Sequence, residues 1–506
     1  MTRTKKSVGL ALALMLVVAM VLSGCGSKNN NGNTAANNGG STNDSTAGNS
    51  GGSTEEPVNL VWYTIGAPQK DMDKVMTEVS KYTAEKIGVT VTMKMIDFGD
   101  YDQKMKVLTA SGSPMDILFS CSWAFDYVQN ARKGAFAPID ELLTQYGQGI
   151  VDELDPAFLE GSKVDGHNYG VPANKELPTQ EVWRFNKNLV DKYNLDISNV
   201  NTLESLEPLL KTIKEKEPQV APFAVNKDHV PVVPYDYIIQ NLPMAVKLDT
   251  TDFKIVDVLE TPEMKQALET MHKYYTAGYI SPEAATISST DDLTKSGKWF
   301  LDRASSQPFA DILWSQSYGY PVVSKPANDS VIYNWSVMGS MQAISANSKH
   351  PDKAMQFLNL LNTDPVLRNM VDSGIEGVHY KKIDDTHMEN LPDAKNYDMP
   401  TFALGNIMLT YLSAADPADK WEQFKAYNDA GKAAPTLGFN FDSSKVVNEL
   451  AAIQNVKGEF WPALMTGTAD PDKYLPQAIE KFKAAGLDKI IAEAQSQLDA
   501  WRATQK

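Results

Sequence analysis

The chain predicts an α/β fold in two lobes, and three observations carry that prediction. From residue 58 to residue 120, strand-like and helix-like runs alternate as β-α-β-α-β, the order of a parallel sheet with crossover helices. Residues 165–187 (DGHNYGVPANKELPTQEVWRFNK) form a proline-stiffened crossing from one strand-like run to another. About 450 residues follow the N-terminal tail, more than one compact core accommodates.

Residues 58–65 (VNLVWYTI) are β-rich and bounded by Pro57 and Gly66, which reads as a strand. In residues 69–86, Met72, Val75, Met76, Val79 and Tyr82 recur at helical spacing. Residues 89–96 (VTVTMKMI) alternate as a strand, residues 101–110 return to a helix, and residues 115–120 (MDILFS) read as a buried strand. Ligands in such sheets bind beyond the carboxyl ends of the strands, which here are residues 63–66, 97–101 and 120–123. Pro172 fixes its own φ and holds Val171 extended, and residues 181–185 are strand-like, so the crossing makes a hinge segment. Further on, residues 203–216 and 262–275 have helical stripes, residues 220–225 are strand-like, and Tyr235-Asp236-Tyr237 sits in a proline-rich stretch suited to a pocket wall. Helices are predicted again at residues 351–361 and 364–374. The last helix should dock through Ile491, Ala494, Leu498 and Trp501.

Several stretches together resemble the bacterial extracellular solute-binding proteins of family 1, the maltose-binding-protein group. The resemblance is carried by Asp165, Gly166, Tyr169, Gly170, Pro172, Asn186, Lys187 and Leu189 at the crossing, and by Pro114, Asp116, Ile117 and Leu118 at the third strand. Gly297 and Lys298 also match, as do Pro351, Lys353, Ala354, Phe357, Leu358 and Leu361. The tryptophan that the family has near residue 203 is absent, and Trp299 replaces a small residue. Beyond Pro400, Glu459, Leu464, Gly467, Asp470, Pro471, Asp472, Ala485, Gly486, Glu493, Gln497 and Trp501 resemble the C-terminal extension, of DUF3502 type, of a lipoprotein subgroup.

The resemblance implies a periplasmic-binding-protein-like fold of type II: two α/β lobes, a multi-segment hinge and a ligand cleft between the lobes. It places residues 57–172 and 300–334 in the first lobe, residues 173–299 and 335–435 in the second, and residues 436–506 in a helical extension packed on the second lobe. Strand tips and crossings together give Tyr63, Ser120, Trp123, Asn174, Tyr237, Trp299 and Trp335 as ligand-binding candidates. Trp123 has an apolar face for a sugar ring and an indole N–H to donate; packing against the next helix is the alternative. Arg303 suits either a carboxylate on a ligand or an internal salt bridge. Asp470-Pro471-Asp472 reads as a solvated turn, because it lacks the rest of a Ca²⁺ loop.

At the N-terminus, Arg3, Lys5 and Lys6 precede an apolar run over residues 8–22, which is short for a membrane span. Leu22-Ser23-Gly24-Cys25 resembles the lipobox of bacterial lipoproteins. It implies a signal peptide over residues 1–24 and a diacylglycerol thioether on Cys25, which anchors the protein to the outer face of a Gram-positive-type cell membrane. Residues 26–56 are almost purely Asn, Gly, Ser and Thr, a flexible tether. Loss of residues 1–24 takes the net charge from −16 to −19, which argues against nucleic acid as a partner.

Beyond Cys25 the only cysteine is Cys121, so no disulfide framework forms within the mature chain, and Cys121 reads as a small buried residue. None of His167, His229, His272, His350, His379 and His387 has metal-site spacing, and there is no phosphate-binding loop. No metal, cofactor or catalytic group is expected. The expected partners are a saccharide, for which nine Trp and twenty Tyr supply stacking surface, and the permease subunits of an ABC importer, with the protein itself a monomer. A surface enzyme acting on polysaccharide and the ligand-binding module of a sensor system remain the alternatives.

Overall fold

The computed structural model describes residues 56–505; the lipobox and most of the tether lie outside the described residues. The first sheet has five strands in the spatial order Val89–Ile96, Val58–Ile65, Ile117–Ser120, Met341–Ile344 and Gly170–Pro172. The first three run parallel, with Val58 opposite Val89 and Ile65 opposite Ile96, as the β-α-β-α-β pattern requires. Met341–Ile344 is antiparallel to both of its neighbours. The helix Met72–Ile87 buries Val75, Met76 and Val79 of the stripe read from spacing, together with Thr83, and leaves Met72 and Tyr82 partly buried at its margin. On this side of the sheet Trp62 packs edge-on to Phe357, with ring centroids 5.7 Å apart. Phe357 and Leu358 belong to the helix Pro351–Thr363, so that helix completes the first lobe's core.

The second sheet runs Val322–Pro326, Gln180–Asn186, Trp299–Ser306, Ala221–Phe223. Gln180–Asn186 is antiparallel to both of its neighbours. The helices Glu207–Lys216 and Pro262–Thr276 pack against this sheet through Leu209, Leu210, Ile213, Met271 and Tyr274. A third sheet is the antiparallel meander Tyr235–Tyr237, Met244–Lys247, Ile255–Asp257.

This topology reverses the expected lobe membership of two segments. Trp299–Ser306 and Val322–Pro326 lie in the second sheet, whereas residues 300–334 were expected in the first lobe. Met341–Ile344 and Pro351–Thr363 lie in the first lobe, whereas residues 335–435 were expected in the second. The return crossing comes after Pro326, because Trp299–Ser306 hydrogen-bonds along Gln180–Asn186 with Leu301 opposite Phe185. Periodicity identifies a strand without identifying its partner.

Three chain passes form the hinge. Thr179 and Val331 exchange backbone hydrogen bonds of 2.7 and 3.0 Å. Val331–Ile332 pairs in parallel with Lys432–Ala433.

The C-terminal helices are Val447–Met465, Pro471–Ala484 and Leu487–Thr504. They share one apolar cluster with the meander and with Met264 and Leu268 of the helix Pro262–Thr276. The last helix buries Leu487, Ile490, Ala494 and Leu498, with Ile491 and Trp501 at the margin of the stripe. Asp470-Pro471-Asp472 is a helix start: the Asp470 side chain accepts the Asp472 N–H at 3.1 Å and Pro471 fills the first turn. Gly467, at φ +74°, lies so close to the helix Pro262–Thr276 that an added Cβ would sit 2.3 Å from the Met271 carbonyl. Among the described residues, no helix is long and apolar enough to cross a membrane, and no group of side chains is spaced to hold a metal ion.

Candidate functional site

The cleft is assembled by two short segments that meet where the chain crosses between sheets. The loop after Ile117–Ser120 is stitched to residues 335–339. The Ser122 N–H donates to the Met338 carbonyl at 2.8 Å, its hydroxyl to the Trp335 carbonyl at 3.2 Å, and the Trp123 indole N–H to the Gly339 carbonyl at 2.9 Å. These bonds hold Trp123, at the carboxyl end of a parallel strand, beside Trp335, in the short helix Asn334–Val337. Trp335 stacks on Tyr333 at 5.3 Å, with the ring planes 12° apart.

Three cavities of about 340, 280 and 430 Å³ surround the Trp335 ring. Gln240 and Trp335 line all three, so they form one cleft, and each is near the size range of small-molecule sites. The largest is walled by Trp123 and Phe402 on one side and by Ser305, Gln307 and Glu176 on the other. Phe402 comes from the short 3₁₀ turn Thr401–Ala403, fixed by the fully buried Arg368, whose guanidinium donates to the Asn406 and Thr401 carbonyls. Its ring meets Trp123 at 6.2 Å. The 280 Å³ cavity contains the Arg303–Glu181 pair, 3.1 Å apart, and the Tyr237 side chain. The Arg303 fork is thus used within the protein. Burial pushes the Tyr237 hydroxyl above the ordinary phenol range, and that oxygen has no partner among the described residues. The 340 Å³ cavity lies between the Ser122–Gln129 side of the first lobe, the Tyr237–Leu242 side of the second, and Phe439, Phe441 and Gln454 of the extension.

Of the seven candidates, Trp123, Tyr237 and Trp335 line the cleft. The other four do not. Tyr63 is buried in the first sheet, with Lys94 Nζ 3.3 Å from its hydroxyl. Ser120 is buried and donates to the Phe125 carbonyl at 2.6 Å, closing its own loop. Asn174 is buried and donates to the Glu153 carbonyl at 3.0 Å. Trp299 is fully buried, its N–H bonded to the Tyr320 hydroxyl at 2.6 Å. The Trp123 N–H, expected as a ligand donor, is used by Gly339, which leaves the ring face as that residue's contribution. Cys121 is buried, and burial pushes its thiol up to about 12, so it has the character of a small core residue. Gln240 and Gln307 lie in irregular segments and Phe402 in the short 3₁₀ turn Thr401–Ala403, and no periodicity in the sequence marks any of the three.

The sequence profile described as "Bacterial extracellular solute-binding protein" matches residues 66–366, more than half of the chain. The chain belongs to the bacterial extracellular solute-binding protein family. A second profile, "Domain of unknown function (DUF3502)", matches residues 435–503, the helical extension. A "Carbohydrate ABC transporter substrate-binding protein" of Streptococcus pneumoniae serotype 4 is 34% identical over 99% of this solute-binding protein and 99% of its own length. The solved N-glycan transport solute-binding protein NgtS of Streptococcus pneumoniae is 35% identical, with TM-score 0.83, covering 89% of this chain and 100% of its own. NgtS in complex with Man5GlcNAc gives TM-score 0.69 at 35% identity, covering 89% and 99%. A solute-binding protein of Bifidobacterium longum infantis, 15% identical with TM-score 0.62 and covering 88% and 99%, shares the fold.

Proposed function

We infer that this protein captures an oligosaccharide in the cleft around Trp335, closes its lobes over it, and delivers it to the permease of an ABC importer while a lipid on Cys25 holds it at the cell surface. The observation that carries this reading is the cleft itself. It has aromatic faces at Trp123, Trp335 and Phe402, a polar rim of Ser305, Gln307 and Gln240, and three hinge strands beside it. Flat apolar faces flanked by amides and hydroxyls suit a ring with an apolar C–H face and equatorial hydroxyls. The carbohydrate relative and the N-glycan transport protein support the same ligand class. NgtS superposes at TM-score 0.83, and its complexes with Man1GlcNAc and Man5GlcNAc at 0.71 and 0.69. Since the sequence identity stays at 34–35%, the spread lies in conformation, which supports closure as the response to saccharide.

Calorimetric titration of the mature protein with a panel of mannose- and N-acetylglucosamine-containing oligosaccharides tests this reading. Saturable binding, with the saccharide recovered unchanged, is expected. Absence of binding across the panel would remove the carbohydrate assignment, and shortened products would favour an enzyme.

A further inference from the structure

The 340 Å³ cavity has a wall that neither lobe supplies. Phe439, Phe441, Leu450 and Gln454 of the C-terminal segment face Gln129 and Gln240 across it. The DUF3502 match begins at residue 435, where this wall begins. We propose that the C-terminal segment is part of the ligand site: it forms a subsite for the sugar residues of a long or branched oligosaccharide that extend past Trp335. This proposal rests on the saccharide reading above and deepens it.

The wall is fixed in place from every side. Asn334, in the hinge pass next to Trp335, donates to the Thr436 and Phe439 carbonyls at 2.9 and 2.7 Å and accepts the Gly438 N–H at 2.7 Å. Asp236 of the meander accepts the Thr436 N–H and hydroxyl, at 3.1 and 2.5 Å. Arg132 of the first lobe donates to the Asn440 and Phe441 carbonyls at 2.8 and 3.1 Å, while its other edge pairs with both carboxylate oxygens of Asp165. Segments that serve only to cover a core need apolar packing; this one is also held by directional bonds to the residues that frame the cleft.

Its chemistry suits a sugar. The side chains of Gln129, Gln240, Ser443 and Gln454 line the cavity and have no hydrogen-bond partner among the described residues. Phe439, Phe441 and Leu450 supply the apolar backing. Amides that both donate and accept, over an aromatic floor, are the groups that read sugar hydroxyls and acetamides. The Trp123–Phe402 cavity lies on the opposite side of Trp335 and contains no residue of this segment. A short saccharide bound there leaves the C-terminal wall untouched.

The test compares two probes, Man1GlcNAc and Man5GlcNAc, titrated into the wild type, Gln454→Ala and Leu450→Trp. Gln454 is exposed and Leu450 half-buried, so both variants should keep the wild-type Tm, which is measured alongside. The proposal expects Man5GlcNAc to bind about tenfold more weakly to each variant while Man1GlcNAc changes less than twofold. Equal change for both probes, or no change for either, would overturn it and leave the saccharide reading standing. Failure of the wild type to bind either probe would overturn both. If Leu450→Trp lowers the Tm, Gln454→Ala and Ser443→Ala decide by the same comparison.

Discussion

Trp123 lies just beyond the carboxyl end of Ile117–Ser120 and is 53% exposed, whereas Trp299 opens Trp299–Ser306 and is fully buried. Each indole N–H has a partner, Gly339 for one and Tyr320 for the other. What differs is the end of the strand. Beyond a carboxyl end in the first lobe the chain is free to present a ring to the cleft. At the start of a central strand in the second lobe, the ring is enclosed by Ala224, Val322, Tyr318 and Tyr320. Trp299 also faces the Arg184 guanidinium, 5.5 Å from its ring, which is itself bound to Asp302 at 2.8 and 2.6 Å. The pair shows that an aromatic residue faces the cleft or is sealed in the core according to its place in the sheet, not its type.

The largest effect expected from this contrast is on Trp299. Trp299→Ala removes a fully buried ring and should cost about 3–5 kcal/mol in urea unfolding, with the saccharide affinity of the folded fraction unchanged. An affinity loss without a stability loss would move Trp299 into the site. Next is Gly467→Ala, which combines a positive φ with a Cβ 2.3 Å from Met271 backbone. It should cost about 2–4 kcal/mol and loosen the C-terminal helices first, as read by hydrogen exchange. Wild-type protection throughout residues 447–504 would contradict the packing described.

Asp257 supplies a pH-dependent comparison. Burial, reinforced by Glu260, pushes its carboxyl up to about 7, although it caps Leu259 with a 2.9 Å hydrogen bond. The folded state therefore holds a proton that the unfolded chain has lost between about pH 4 and pH 7, so this group's contribution to stability falls as pH rises through that window. Asp257→Asn should be more stable than wild type by about 1–2 kcal/mol at pH 7.5, with the difference shrinking towards pH 4. A difference independent of pH would show that the carboxyl is not raised. Trp123→Ala has the smallest effect on stability, within about 0.5 kcal/mol, yet should weaken saccharide binding about tenfold, which is about 1.4 kcal/mol.

The β-α-β-α-β succession of the first lobe was legible because parallel crossovers leave alternating 2.0 and 3.6 periods along the chain. The crossing at residues 165–187 was legible because Pro172 and Pro178 leave few conformations between two strand-like runs. The sheet that each later strand joins was not legible: Trp299–Ser306 and Met341–Ile344 have similar apolar character, and only long-range pairing separates them. Trp335 and Tyr237 were found as aromatic residues at crossings and in a proline-rich stretch. Phe402 was not, since its position depends on Arg368, far from it in sequence, holding the short turn Thr401–Ala403 by backbone carbonyls. Gln240 and Gln454 carry no signal without the three-dimensional cavity that brings them together.

Closure of the two lobes on a saccharide held at Trp335 should change the shape of the protein in solution. Small-angle X-ray scattering of the mature protein, with and without saturating Man5GlcNAc, measures this directly. A smaller radius of gyration is expected with saccharide, and no such contraction at the same concentration for Trp335→Ala. Binding that leaves the scattering of the wild type unchanged, or contraction that persists undiminished without the Trp335 ring, would contradict it.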